Sequence, residues 1–459
     1  LVIITSVVAI FIFLGQLLLH TGGSEWFTEL AIATTGRSRG GSAKIAVLAS
    51  GLFGSISGSA VSNVASTGVL TIPLMRRGGY SKSSAAAYEA VASTGGQVMP
   101  PIMGAAAFLM SERLDIAYSE IIIAALLPAL LYYIAVFIQA DLEAARLNIP
   151  PIPEDQIRPM RRVLAEGWHF ILPFAVLIVA LFYLNKRPDT AALWACGTII
   201  LVSLVFGYKG KRINARQIWA SVVGTGQVAV DIIIIGAMAG LIIGVIEITG
   251  LSFGLTFILV QVGQGSLLLL LLLTAGVCII LGMGMPTTAI YLIVATLAAP
   301  PLRQLGVSPI AADMFVLYFG LLSMITPPVA LAAFAAANLA GARPMKVAVT
   351  AVRYGWPAFI LPFLFVLSPS LLLQGSLSET ALAAGSAVAG VWLASVGIGG
   401  YFRGTLSVVV RLAFALAGLA LLVPASGFEG GVWLNAGGLA LAAVVMLWRI
   451  YGPTRRQAA

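Results

Sequence analysis

Apolar residues run along this chain in blocks of about 20, the length a helix needs to cross a hydrocarbon core of roughly 30 Å. Short polar joints divide the blocks. Spans are predicted near 1–19, 83–113, 118–139, 168–184, 190–207, 226–247, 309–341, 354–372, 380–400, 412–424 and 432–448. They read as helices, because the stretch Leu267 to Leu273 is apolar without interruption, whereas a barrel strand alternates between lipid and lumen. Two more apolar segments, 41–77 and 266–304, are too long for one pass, and each breaks near its middle. The breaks are Ser55-Ile56-Ser57-Gly58-Ser59-Ala60-Val61-Ser62-Asn63 and Gly282-Met283-Gly284-Met285-Pro286-Thr287-Thr288. Both segments read as re-entrant hairpins, since non-helical backbone at membrane depth survives only inside protein or against a wet cavity.

Sliding the sequence by 227 positions puts Pro73 on Pro300, Arg76 on Arg303, Gly79 on Gly306, Ser81 on Ser308 and Ala85 on Ala312. Without a gap, Pro100-Pro101 then falls on Pro327-Pro328. The chain therefore reads as a repeat in which a hairpin is followed by an interrupted helix. The interruptions are Thr94 to Pro101 and Ser323 to Pro328. Paired, interrupted segments in two halves point to a site near the membrane midplane. The predicted division is an N-terminal span and interfacial helix (1–40), a first repeat (41–165), connecting helices (166–265), a second repeat (266–372) and a C-terminal extension of about three spans (373–459). The fold class is an all-α polytopic membrane protein with two re-entrant hairpins and two broken transmembrane helices.

Composition agrees with the pattern: 60% of the 459 residues are hydrophobic and 9% charged, where a soluble domain carries about a quarter charged. Lys and Arg concentrate in cytoplasmic loops, so they orient the spans. With the loop of Arg76, Arg77 and Lys82 inside, only Arg113, Lys186, Arg187 and Arg303 of the 26 basic residues fall outside; Lys211, Arg455 and Arg456 are inside. Five crossings separate the hairpins on this reading, so the repeats are expected to be antiparallel and the C-terminus cytoplasmic. The basic residues lie in separate loops rather than one stripe, which argues against nucleic acid. The chain opens on Leu1 rather than Met, so an upstream part is expected.

Little catalytic chemistry is on offer. Cys196 and Cys278 lie in apolar surroundings and read as core residues; His20 and His169, at span ends, read as interfacial packing. No P-loop, G-x-S-x-G or H-E-x-x-H pattern occurs, so neither an enzyme nor an ATPase is expected, and no cofactor. Intramembrane ionisable residues are suspects by default. Asp231 and Glu247 fall near predicted span ends, Asp313 reads as a possible helix cap, and Glu89 reads either as a transport residue or as a salt-bridge partner of the Arg76 to Lys82 loop. Segments Thr21–Thr35 and Ile213–Val223 read as interfacial helices, Pro150–Pro159 as a cytoplasmic loop, and Trp26, Trp168, Trp219 and Trp356 as belt anchors.

The breaks themselves carry oxygen ligands. A helix that ends inside the membrane leaves unpaired N–H or C=O groups worth about half a charge. Ser57, Ser59 and Asn63 gather at the first tip, Thr287 and Thr288 at the second, and Thr94 and Thr326 beside the prolines. Pro100 and Pro327 would hold unwound stretches open, since each lacks an N–H. Such oxygens suit a dehydrated Na⁺, and helix N-termini suit an anionic cargo. Small-residue patches also serve plain helix packing, but two clusters in corresponding positions favour a site.

These strings resemble those of a known family: Phe53-Gly54-Ser55-Ile56-Ser57-Gly58-Ser59, Gly79-Tyr80, Gly96-Gln97-Val98-Met99-Pro100-Pro101, Gly282-Met283-Gly284-Met285-Pro286-Thr287-Thr288 and Ile325-Thr326-Pro327-Pro328-Val329. They are similar to the large membrane subunit of tripartite ATP-independent periplasmic (TRAP) transporters, in particular fused permeases of the TAXI branch. The resemblance covers about residues 1–372. It implies an elevator-type secondary transporter of the bacterial inner membrane that imports an organic acid anion, such as a dicarboxylate, with Na⁺ as coupling ion. It also implies two partners, a periplasmic substrate-binding protein and a small membrane subunit fused upstream in this branch. By resemblance, Ser57, Ser59, Asn63, Gly95, Gly96 and Pro100 form one Na⁺ site, and Gly282, Thr287, Thr288, Thr326 and Pro327 form the other. Ser62, Thr94 and Gly284 are the candidate substrate contacts. Where many relatives have an acidic residue after the second-hairpin glycine, this chain has Pro286-Thr287-Thr288. The competing reading is a stand-alone Na⁺/carboxylate symporter of the same plan.

Overall fold

The computed structural model describes residues 4–210, 212–263, 266–425 and 430–451. Residues 1 to 3 of the first predicted span, and the basic residues Lys211, Arg455 and Arg456, lie outside the described residues. Among the described residues the elements are helices, with one isolated bridge between Tyr401 and Thr405.

A π-helical turn, Ile4–Val8, leads into α1 (Ala9–His20); α2 (Gly23–Thr35), α3 (Gly41–Ser57), α4 (Ala60–Arg77), α5 (Lys82–Gly96), α6 (Ala105–Leu114) and α7 (Tyr118–Leu147) follow. After a linking region of α8 (Met160–Gly167), α9 (Ile171–Ile178) and α10 (Pro188–Val205), the series recurs. It comprises α11 (Ala215–Ile248), α12 (Leu251–Gly263), α13 (Leu267–Gly282), α14 (Thr287–Gln304), α15 (Pro309–Leu322), α16 (Leu331–Ala340), α17 (Pro344–Tyr354) and α18 (Trp356–Leu367). At the 227-residue offset α4 coincides with α14 end to end, and α3, α5 and α6 match α13, α15 and α16 to within two residues at either end. The same local chemistry starts both interrupted helices: the Ser81 hydroxyl accepts from Ser84 N–H at 3.0 Å, and Ser308, its equivalent, accepts from Ala311 N–H at 3.4 Å.

The correspondence extends upstream, where α1 and α2 match the second half of α11 and α12. The short helix α12 is absent from the predicted elements, because Gly250, Gly254 and Gly263 make 251–263 read as a joint. Gly22 (φ +92°) and Gly250 (φ +69°) supply the left-handed residue that turns each chain into its short helix. The first such joint bends by 68°, which agrees with the helix predicted at Thr21–Thr35. The second segment predicted as interfacial is corrected: Ile213–Val223 is no separate helix but opens α11, a continuous element of 34 residues. Asn214 and Gln217 form a capping box at its start. Gly224 and Gly226 do not break it, since a helical glycine costs only about 1 kcal/mol without the lost hydrogen bond of a proline.

Six described helices are long and apolar enough to cross a membrane, or eight if each bent pair counts as one span. The shorter apolar helices include the first arm of each hairpin, α3 and α13, and both halves of the second interrupted helix, α15 and α16. After α18, a C-terminal extension of α19 (Leu377–Gly399), α20 (Val408–Leu422) and α21 (Gly431–Tyr451) builds its own apolar cluster around Phe414, Val396 and Leu393. It is tied to the repeats through α7, where Gln139 Nε2 donates to Ser395 Oγ at 2.6 Å. Trp26, read as a belt anchor, is 2% exposed. Its ring covers Gly167, and its Nε1–H donates to the Val163 carbonyl at 3.0 Å. It locks α2 to α8, while Trp168 and Trp219 stay exposed.

Candidate functional site

The first hairpin is α3 and α4, turned at Gly58 (φ +62°) with Ser59 as the N-cap of α4. Its tip packs backbone on backbone against the point where α5 ends. A Cβ on Gly96 would lie 2.5 Å from the Gly54 Cα, and one on Gly54 would lie 2.5 Å from Asn63 Nδ2. Only glycine permits that approach at position 96, while Gly95 makes room for the Tyr132 ring, 2.3 Å from where a Cβ would lie. Asn63 is fully buried and holds the hairpin together: its Nδ2 donates to the Ser50 carbonyl at 2.8 Å, and its Oδ1 accepts from Thr67 at 3.3 Å. Ser57 Oγ donates to the Ser59 carbonyl at 3.5 Å, and Ser62 is exposed at the start of α4. Thr94 donates to the Ala90 carbonyl at 2.8 Å, so its oxygen keeps lone pairs for a further partner.

The second hairpin repeats the arrangement with α13 and α14. Gly282 ends α13 against the end of α15, where a Cβ would meet Ser323 Oγ at 2.7 Å. Gly284 (φ +77°) makes the turn, and Pro286 precedes the first turn of α14, where Thr287 and Thr288 lie. Thr326 donates to the Leu322 carbonyl at 2.7 Å, in the unwound stretch ahead of Pro327. Both Pro100-Pro101 and Pro327-Pro328 peptides are cis. Across each interruption the chain returns in the same way: Gly104 N–H bonds the Gln97 carbonyl at 2.8 Å, and Ala332 N–H bonds the Met324 carbonyl at 3.0 Å.

The two assemblies converge. Gln97 and Met324 occupy equivalent places in the two repeats, 227 positions apart, and Gln97 Nε2 lies 3.7 Å from Met324 Sδ. Equivalent residues touch where two copies meet about a twofold axis. The Thr287 hydroxyl also donates to Gln97 Oε1, linking the second tip to the first break. Gln97 stands in the predicted break but carries no predicted role. Its signal in the sequence was a lone amide between two glycines and two prolines.

The ionisable residues divide differently from expectation. Asp313 is no helix cap, because Ser308 fills that role. Its carboxylate is fully buried and takes Arg113 from α6, Arg303 from the end of α14 and the Tyr291 hydroxyl at 2.8 Å. Glu89 meets no basic residue of the Arg76 to Lys82 loop. It is fully buried, and hydroxyls from three helices surround it: Ser50 at 2.8 Å, Thr67 at 2.5 Å and Ser93 at 3.1 Å on Oε1, with Thr71 at 2.5 Å on Oε2. Sequence reasoning missed these four, although Thr67/Thr71 and Glu89/Ser93 stand at i, i+4 spacing and so share helix faces. Asp231 and Glu247 lie on the exposed surface of α11, and Asp231 is midway along that helix rather than near its end. A separate cavity of about 510 Å³ between α3, α7 and α19 is almost wholly apolar, lined by residues such as Phe137, Ile134 and Trp392. Its walls suit an acyl chain better than a carboxylate.

Comparison with known proteins places this geometry. Residues 2–380 match the family model described as "Tripartite ATP-independent periplasmic transporter, DctM component". Among relatives, the C4-dicarboxylate TRAP transporter large permease protein DctM of Pseudomonas aeruginosa is 25% identical over 78% of this chain and 82% of its own length. The 2,3-diketo-L-gulonate TRAP transporter large permease protein YiaN of Escherichia coli is 23% identical over 70% and 74%. The ectoine/5-hydroxyectoine TRAP transporter large permease protein UehC of Ruegeria pomeroyi is 25% identical over 78% and 81%. The match covers both hairpins and both interrupted helices and ends within α19. The chain is a multi-pass transport protein and belongs to the DctM family, the large membrane component of TRAP transporters.

Proposed function

We propose that this permease imports organic acid anions across the bacterial inner membrane, driven by Na⁺ and fed by a periplasmic substrate-binding protein. The observation that carries the reading is the seating of two hairpin tips on two helix breaks at equivalent positions, joined at Gln97. Ser57, Ser59 and Asn63 with Gly95, Gly96 and Pro100 would bind one Na⁺, and Gly282, Thr287, Thr288, Thr326 and Pro327 the other. The amide of Asn63 is already engaged within the hairpin, so at the first site the remaining oxygens of Ser57, Ser59 and the unwound backbone bear more of the load. The anion would lie between the tips, near Ser62, Thr94 and Gly284. There the first turn of α14, which has no side-chain cap, offers N–H groups, and α4 and α14 both present the positive ends of their dipoles.

The charge asymmetry supports antiparallel repeats with a cytoplasmic C-terminus, and the hairpins with their interrupted helices would move as one body in an elevator cycle. The Pro286-Thr287-Thr288 string supports membership of the TAXI branch, with a small membrane subunit fused upstream. Two relatives are named for C4-dicarboxylates and 2,3-diketo-L-gulonate, and their acid cargoes support a carboxylate here.

The test is uptake of a radiolabelled dicarboxylate panel into proteoliposomes holding the complete permease, with an inward Na⁺ gradient, with and without the cognate binding protein. Uptake that needs both is the expected result. Uptake with Na⁺ alone would favour a stand-alone symporter, and uptake indifferent to Na⁺ would reduce the two ion sites to packing motifs.

A further inference from the structure

Within the first repeat, a carboxyl group is buried without a cation. Glu89 is 0% exposed, and each of its four hydrogen-bond partners is a hydroxyl. An ionised carboxylate taken out of water without a counter-charge costs several kcal/mol even after relaxation.

The elements packed on α5 supply no such charge. On α3, Lys44 is paired with Asp141; on α4, Arg76 and Arg77 are exposed at the far end. From α7, the Tyr132 and Tyr133 hydroxyls donate to the Val91 and Ala92 carbonyls at 2.7 Å each, and Glu143 is held by Arg146. No titratable residue lies on α16. On α17, Lys346 and Arg353 are exposed, and Tyr354 bonds Ser84 and Glu143. On α5 itself, Lys82 is exposed and Tyr88 donates to the Gln139 carbonyl at 3.1 Å.

The cage satisfies both protonation states by hydroxyl rotation. With Glu89 ionised, all four hydroxyls donate to it. With a proton on Oε2, that proton goes to Thr71 Oγ1 at 2.5 Å, and the Thr71 hydroxyl turns to the Thr67 carbonyl at 3.0 Å. Thr67 has a second acceptor too, the Asn63 carbonyl at 2.9 Å. No heavy atom of the cage has to move to fit either protonation state.

The second repeat is an internal control. The residues 227 positions beyond Glu89, Ser50, Thr67, Thr71 and Ser93 are Val316, Val277, Val294, Ala298 and Gly320. The same helices pack there with no polar side chain at these places, so the fold does not need the cage. Its members come from α3, α4 and α5 alone, the hairpin and half-helix that form the first candidate ion site.

We propose that Glu89 is a proton-binding site of the transport cycle, loaded as the neutral acid and discharged as the carboxylate, so that H⁺ accompanies the cargo. The inference rests on the transport reading above and adds a coupling ion to it. On release the proton passes from Oε2 to water when this face of the repeat opens.

The probe is the proton itself. Infrared spectra of the full permease in phosphatidylethanolamine/phosphatidylglycerol vesicles at neutral pH should show the C=O stretch of a buried carboxylic acid, and Glu89→Gln should remove it. In the same vesicles, with Na⁺ equal on both sides, an inside-alkaline gradient should stimulate uptake of the transported acid in the wild type, and Glu89→Gln should abolish that stimulation. Thermal unfolding of the variant near the wild-type temperature confirms that it folds, as expected for an amide that mimics the neutral acid. An unchanged band overturns the proposal, as does stimulation that survives in Glu89→Gln, or a variant that shifts only the Na⁺ half-saturation. If no acid enters under any gradient, the transport reading fails, and the infrared band still decides whether Glu89 holds a proton.

Discussion

At the residue scale, glycine marks the places where backbone meets backbone. A methyl group on Gly96 would clash with Gly54 Cα, and one on Gly95 would come within 2.3 Å of the Tyr132 ring. That ring cannot swing aside, since it is 2% exposed and tethered to the Val91 carbonyl. Gly95→Ala and Gly96→Ala are each expected to destabilise by about 1–3 kcal/mol through overpacking, read as a lower unfolding temperature in detergent. Gly197→Ala is the control: nothing lies within 4 Å of its Cβ, so the substitution should be neutral or stabilising by up to about 1 kcal/mol. Equal losses at all three would mean that the hairpin contact is looser than described.

Side-chain oxygens call for a second discrimination at this scale. Thr326→Ala deletes a hydroxyl whose only described bond is to Leu322 in its own turn, so stability should barely change. The Na⁺ half-saturation of uptake should rise about tenfold, the equivalent of roughly 1.4 kcal/mol. Ser59→Ala is less clean, because Ser59 also caps α4 and its loss costs about 1 kcal/mol of helix stability; Ser59→Asn keeps a cap and changes the oxygen. Unchanged half-saturation in Thr326→Ala and Ser59→Asn would remove both residues from the ion sites.

At the scale of elements, two charge networks hold helices together with unequal strength. Asp313 joins α6, α14 and α15 through Arg113, Arg303 and Tyr291, and its side chain has no exposure. Asp313→Asn leaves two guanidinium groups facing a neutral amide and should cost about 3 kcal/mol. Glu29 joins α2 to the segments bearing Arg158 and Lys209, at 2.5 and 2.6 Å, but those partners are about a third exposed. Glu29→Gln should therefore cost less than about 1 kcal/mol. Thermal unfolding of the two variants ranks the networks, and a reversed order would contradict the burial argument.

For the whole molecule, the meeting of two repeats at one point has a kinetic signature. Gln97 touches Met324 and Thr287, so it serves both halves at once. Gln97→Ala is expected to raise both the Na⁺ half-saturation and the KM for cargo in vesicle uptake, whereas Thr326→Ala should move the first far more than the second. A Gln97 variant with normal values for both would make the junction a packing contact only.

The repeat was legible because its punctuation is local. Ser81 and Ser308 cap, and the proline pairs interrupt through residues at most four positions away, which act the same way wherever the helices end up. Apolar period and length likewise require helices in hydrocarbon whatever their neighbours. The length of α11 was not legible, since a glycine pair weakens a helix without stopping it and packing decides the outcome. Nor were the partners of charge: Arg113 reaches Asp313 across 200 positions, and Glu89 draws its hydroxyls from three helices. The sequence by itself thus determined the helical membrane class, the repeat and the breaks, each set by the backbone and its nearest side chains. The tertiary structure alone decided which buried groups meet, because that depends on how helices far apart in the chain lie against one another, and a buried charge is settled by whatever faces it.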